Sequence, residues 1–151
     1  MRAEDLEKLD ENSDDENEKP LTRIELPAYA DAVQAGFPSP AGDYIEKRLD
    51  LNELIVRHPA ATFFVRAQGD SMIDAGIHSG DVLVVDRSLE VTNNKIVIAV
   101  VDGELTVKRY RVQKGKHFLV AENKNFRPIE IEPESDFRIW GVVTYVLHPT
   151  D

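Results

Sequence analysis

Two side chains in this sequence have the types that nucleophilic catalysis uses. Ser71 lies in Gly69-Asp70-Ser71-Met72, and Lys108 lies 37 residues later in Gly103-Glu104-Leu105-Thr106-Val107-Lys108-Arg109. A serine on a glycine-led turn just after a strand sits beside free backbone amides, as an oxyanion hole requires. A lysine can activate such a serine in the Ser-Lys variant of covalent catalysis. The demand on that lysine is steep: with the usual pKa of about 10.4, only about one amine in 2500 is neutral at pH 7. Making the neutral form common disfavours the ammonium by about 4.6 kcal/mol, an effect that desolvation can supply. The site must therefore be partly dry. Each feature also has an ordinary explanation. Gly-Asp-Ser followed by Asp74, Gly76, Gly80 and Asp81 is common turn chemistry. Strand alternation puts Lys108 on the face of Glu104, Thr106 and Tyr110, opposite Leu105 and Val107, so any burial must come from other elements.

Other chemistries lack support. His58, His78, His117 and His148 are scattered without metal-ligand spacing and are expected as surface or loop residues, with no metal site. Neither GxxxxGK[ST] nor GxGxxG occurs, so no phosphate cradle and no cofactor are expected. The absence of cysteine excludes disulfides, thiolate nucleophiles, iron–sulfur clusters and cysteine zinc sites, and fits an intracellular compartment.

The elements that must position Ser71 and Lys108 read as β. Short β-branched or aromatic runs cover Thr62 to Ala67, Val82 to Asp86, Lys95 to Val101, Glu104 to Val112, His117 to Glu122, Pro128 to Glu132 and Arg138 to Leu147. Their spacing of about a dozen residues suits a compact all-β sandwich or barrel rather than βαβ units. Asp102-Gly103 is a strong hairpin signal, because a type I′ turn needs positive φ at both central positions. Ahead of the β region, Gly42 to Arg57 carries Tyr44, Ile45, Leu49, Leu51, Leu54 and Ile55 three or four apart, which predicts a short amphipathic helix with a break near Asp50. Ala35-Gly36-Phe37-Pro38-Ser39-Pro40 reads as a linker or exposed loop, since its prolines and glycine forbid a continuous helix.

The 151 residues are 42% hydrophobic and 30% charged, a globular balance, and by length a single domain is the prior. Charge is uneven along the chain. Residues 1–19 hold nine acids against three bases, net −6, which leaves −4 of the total −10 for the other 132. With only Leu6 and Leu9 as large aliphatics, that segment is expected to be a disordered, solubilising arm without chemistry. The net charge argues against nonspecific duplex binding and for protein partners. No apolar run approaches the roughly 18 residues that span a bilayer, and the acidic start does not match a secretory signal. A soluble, cytoplasmic protein is expected.

The Ser71 and Lys108 segments together resemble the family of LexA/UmuD-type self-cleaving Ser-Lys peptidases (peptidase S24). The resemblance runs from about Leu26 to Leu147. It is carried by Gly36-Phe37-Pro38-Ser39-Pro40, Asp43-Tyr44, Leu51-Asn52, His58-Pro59, Gly69-Asp70-Ser71-Met72-Ile73-Asp74, Val100-Val101-Asp102-Gly103-Glu104 and Gly141-Val142-Val143. The resemblance implies a mainly β peptidase domain over 42–151, a cleavable arm over 20–41 and the acidic extension over 1–19. It also implies that Ser71 is the nucleophile, Lys108 its base and Ala35-Gly36 the scissile bond. The backbone amides of Asp70 and Ser71 would form the oxyanion hole. Cleavage would leave a 116-residue product and release an arm of net charge −7. By the same resemblance, a RecA filament on single-stranded DNA stimulates cleavage in the SOS response. The trimmed homodimer then joins a UmuC-type subunit as an error-prone translesion DNA polymerase. Residues 1–35 are too few and too acidic for a helix-turn-helix reader, so direct operator binding is not expected. A different class stays open: a non-catalytic dimeric β-domain acting only as a protein-interaction regulator. Cleavage of other substrates only is a weaker alternative, because the chain supplies its own matching bond.

Overall fold

The computed structural model describes residues 23–29, 32–33, 35–36 and 45–151. The expected acidic extension 1–19 and the expected boundary at 41/42 lie outside the described residues. The chain divides into two compact units, His58–Asp151 and Glu16–Arg57.

In the smaller unit, β1 (Leu26–Tyr29) pairs antiparallel with β2 (Ile45–Leu49), and α1 (Leu51–Ile55) follows. Pro27 is tolerated because a two-stranded sheet has only edge strands. Among the described residues, the helix expected over 42–57 forms only as α1, after the break at Asp50. The Asp50 carboxylate caps it, accepting from the Asn52 amide at 2.9 Å, and also accepts from the Ile24 amide at 3.2 Å. Residues 45–49 are a strand instead. Over so few residues a spacing of three or four is also compatible with alternation, and the backbone of β1 supplies the hydrogen bonds that decide it.

The larger unit is one seven-stranded antiparallel sheet in the order β3-β4-β9-β5-β6-β7-β8. It is mainly β, as expected, but a single sheet rather than a sandwich, and among the described residues no pairing of β3 to β8 closes a barrel. Its strands are β3 (Thr62–Arg66), β4 (Val82–Asp86), β5 (Ile96–Val101), β6 (Glu104–Gln113), β7 (Lys116–Val120), β8 (Ile129–Ile131) and β9 (Phe137–Leu147). All seven strands read from the sequence are present, with ends shifted by a residue or two. β4, β9 and β5 are interior strands, and Leu83, Val84, Val85, Val97 and Ala99 are fully buried. This is why β4 and β5 read as continuous apolar runs without alternation.

β5 feeds two separate cores. Ile98 joins Val65, Met72, Leu83 and Val85, whereas Val97 and Ala99 join Leu119 and Val142. Alternate residues of one strand point to opposite faces, so the sheet is packed on both. Asp102 and Gly103 take φ of 50° and 79° between β5 and β6, as the expected turn requires. Lys114 and Gly115 do the same between β6 and β7, with φ of 51° and 73°, a second tight hairpin that its lysine conceals. The buried Asp86 is held by His58 Nδ1 at 2.6 Å and by the Ser88 amide and hydroxyl. Burial pushes the Asp86 carboxyl up, but these bonds outweigh it and leave the carboxyl below its ordinary range.

Where β9 crosses β4 there is no room for a side chain at Gly141. A Cβ there would lie 2.7 Å from Val85 Cγ1 and 3.2 Å from the Asp86 carbonyl oxygen. Val85 is fully buried and cannot swing clear. Gly141→Ala is therefore expected to destabilise the domain by about 1–3 kcal/mol, read as a lower urea midpoint with unchanged slope.

Candidate functional site

Ser71 is carried on the connection from β3 to β4, and that connection is tied at its base. The Ala67 amide donates to the Asp81 carbonyl and the Gly80 amide to the Ala67 carbonyl, both at 2.8 Å. Gly69 turns the chain with φ of 89° and donates to Ser79 Oγ at 3.2 Å. Met72, next to the serine, is buried in the first core and acts as the apolar anchor of the turn. A short 3-10 turn, Ile73–Ala75, follows and ends at Gly76, whose φ is 79°.

The segment after β7 grips this turn from outside. The Asp74 amide donates to the Glu122 carbonyl at 2.9 Å, and the Glu122 amide reaches Met72 Sδ at 3.4 Å. Asn123 Nδ2 donates to the Asp70 carbonyl at 2.9 Å, which also accepts from the Ile73 amide at 3.2 Å. The Glu122 carboxylate in turn pairs with Arg109. Arg109 is the neighbour of Lys108 in β6 and also donates to the Asn94 carbonyl at 2.7 Å. The turn bearing Ser71 and the strand bearing Lys108 are thus braced against each other through residues 122–123.

Lys108 Nζ lies 3.0 Å from Ser71 Oγ and 3.1 Å from its neighbour's carbonyl, Val107 O. Across the ladder it faces Val97, which is fully buried, so the burial that strand alternation could not provide comes from β5 and the Ser71 turn. That burial pushes the Lys108 amine below its ordinary pKa of 10.5. No salt bridge among the described residues involves Lys108. A carboxylate there would favour the ammonium and oppose the shift. Neither the Asp70 nor the Ser71 amide has an intramolecular acceptor among the described residues. Beside the serine opens a cleft of about 280 Å³, walled by the end of β3 around Val65 and Ala67, by Gly69, and by Leu105, Thr106 and Val107 of β6.

Of the residues singled out from the sequence, Ser71, Lys108 and the amides of Asp70 and Ser71 come together within one unit. Ala35 and Gly36 belong to the other unit, where both are exposed at a bend. Sequence reading missed Asn123 and the Arg109–Glu122 pair. Asn123 lies 53 residues from its acceptor inside a polar turn, and nothing in its own neighbourhood marks it. Among the described residues no helix is long and apolar enough to cross a membrane.

Comparison with known proteins gives the same picture at the level of family. The family model described as Peptidase S24-like matches residues 27–144. The chain is 47% identical over 127 residues to protein MucA of Salmonella typhimurium, covering 82% of this chain and 86% of that one. It is 49% identical over 125 residues to protein ImpA of Escherichia coli, covering 82% and 84% of the two chains. It is also 41% identical over 131 residues to LexA repressor 1 of Geobacter sulfurreducens, covering 86% of this chain and 64% of the repressor. With a family match that takes in Ser71, Lys108 and most of the sheet, the chain belongs to the peptidase S24 family of serine peptidases.

Proposed function

We propose that this chain is a self-processing serine peptidase of the SOS response that cuts its own Ala35–Gly36 bond. The observation that carries the reading is the 3.0 Å contact between Ser71 Oγ and a partly desolvated Lys108 amine that has no carboxylate partner among the described residues. Neutral Lys108 accepts the Ser71 hydroxyl proton as Oγ attacks the Ala35 carbonyl carbon. The negative charge then forms on the Ala35 carbonyl oxygen, and the amides of Asp70 and Ser71 donate to it. The resulting ammonium returns the proton to the leaving Gly36 amine, which leaves Ala35 esterified to Ser71. Neutral once more, Lys108 takes a proton from the water that attacks this ester, and gives it to Ser71 Oγ as the ester bond breaks and the Ala35 carboxylate leaves.

Asn123 serves here as a positioning residue. The Asp70 carbonyl and the Ser71 N–H belong to one planar trans peptide and point to opposite sides of it. Holding the carbonyl from one side aims the amide toward the other. A small Ala35 and a Gly36 without a side chain suit close approach to the cleft beside Ser71.

The similarity to MucA, ImpA and the LexA repressor, with the UmuD-type motifs in the chain, supports the wider assignment. In it, a RecA filament on single-stranded DNA stimulates cleavage. The trimmed homodimer is the accessory subunit of a UmuC-type translesion polymerase.

The test is incubation of the purified chain with and without RecA, ATP and single-stranded DNA, followed by intact mass. A 116-residue product beginning at Gly36 is expected, and Ser71→Ala and Lys108→Ala should each lower its rate at least about a thousandfold. Persistence of that product in either variant would sink the dyad. Its absence from the folded wild type under every condition would leave the interaction-regulator reading. The unstimulated rate should rise with pH as Lys108 loses its proton, with a midpoint below the ordinary lysine value of 10.5. A rate flat between neutral and alkaline pH would contradict Lys108 as base. Asn123→Ala should slow cleavage about tenfold while moving stability by only about 1 kcal/mol, read from cleavage rates and urea midpoints on the same preparations.

A further inference from the structure

On the sheet domain, three potential metal ligands meet just before β4: His78 and Asp81, three residues apart, and His148 from beyond β9. Asp81 is 1% exposed, yet its carboxylate faces two imidazoles that are about half exposed. Oδ1 lies 2.6 Å from His148 Nδ1, and Oδ2 accepts from the His78 backbone amide at 2.7 Å. His78 Nδ1 stands 3.7 Å from Oδ2, too far for a hydrogen bond, and the ring has no other hydrogen-bond partner among the described residues. The two rings lie with centroids 4.6 Å apart, tilted by 36°. One ligand atom from each of the three residues falls within 4.8 Å of the others.

We propose that His78, Asp81 and His148 form a binding site for one borderline divalent transition cation of the Zn²⁺ type. Bonds of about 2.0–2.1 Å in a tetrahedral zinc site set neighbouring ligand atoms roughly 3.3 Å apart. The 3.7 Å separation needs only a small closure. The 2.6 Å contact opens as the cation takes the place of the proton between His148 and Asp81. Both rings can make these adjustments, because His78 lies in the irregular connection before β4 and His148 directly follows the last residue of β9. The buried carboxylate supplies the charge, and solvent reaches the fourth position past the half-exposed rings. Two imidazoles and one carboxylate favour Zn²⁺, Co²⁺, Ni²⁺ or Cu²⁺ over Mg²⁺ or Ca²⁺, which prefer oxygen-only shells. A cation here would tie the chain beyond β9 to Asp81, whose carbonyl closes the base of the turn that carries Ser71.

The site is independent of the cleavage reaction, so its test needs no activity. Tag-free, full-length protein is titrated with Zn²⁺ against a chromogenic chelator in excess Mg²⁺, and with Co²⁺ as an absorption probe. One zinc per chain and a visible Co²⁺ band are expected. His78→Ala and His148→Ala should each weaken zinc binding roughly tenfold or more and lose that band, whereas His117→Ala should change neither. Asp81 is buried and its replacement endangers folding, so the two exposed histidines carry the test, with thermal melts confirming that each variant folds. Absence of a chelator-competitive site overturns the proposal. So does zinc affinity that is unchanged in both His78→Ala and His148→Ala, which would move the cation to the acidic N-terminal segment.

Discussion

The contact on which the rest of this domain bears is the one between the half-buried amine of Lys108 and the hydroxyl of Ser71. A lysine in water is a cation at neutral pH and has no lone pair for a proton, so a Ser-Lys pair works only where the protein disfavours that charge. Here the cause is burial, and among the described residues no salt bridge involves Lys108 that would favour its ammonium form. Burial of a potential charge costs stability, and the surrounding sheet must be firm enough to bear it. The interior strands meet that need: β4, β9 and β5 are packed on both faces, and Gly141 lets β9 approach Val85 and the Asp86 carbonyl closely.

Tertiary contacts are concentrated on the turn that carries Ser71. The Ser71 turn is irregular backbone, yet it is closed at its base by the Ala67–Asp81 and Gly80–Ala67 bonds, anchored inside by Met72 and clasped outside by Glu122 and Asn123. Arg109 then links that clasp to the lysine's own strand. Among the described residues no buried side-chain polar atom lacks a hydrogen-bond partner, so the buried carboxylates Asp50, Asp81 and Asp86 are each satisfied. The turn is fixed by these many weak contacts together, and in it Ser71 stands within hydrogen-bond reach of Lys108.

How much of this could be read in advance follows from the range of each interaction. The seven sheet strands were legible because β-branched runs and turn residues are local signals, and Asp102-Gly103 announced its hairpin by composition. Lys114-Gly115 makes an equivalent turn, but lysine is not a usual αL residue, so the sheet partners rather than local preference hold it there. Residues 45–49 went the other way, from an expected helix to a strand, because pairing with β1 outweighed an ambiguous apolar spacing.

The candidate site divides along the same line. The residue types and their order, Gly69-Asp70-Ser71-Met72 followed by Lys108, were present in the sequence and carried the family resemblance, as did the strands that hold them. Three-dimensional packing decided the 3.0 Å contact, the burial that lowers the lysine pKa and the grip of Asn123 on the Asp70 carbonyl. It also brought His148 to Asp81 across 67 residues, a meeting that spacing along the chain conceals. The physical reason is that residue chemistry and strand propensity are local properties of a chain. Desolvation and side-chain convergence depend on which distant segments the folded sheet sets side by side.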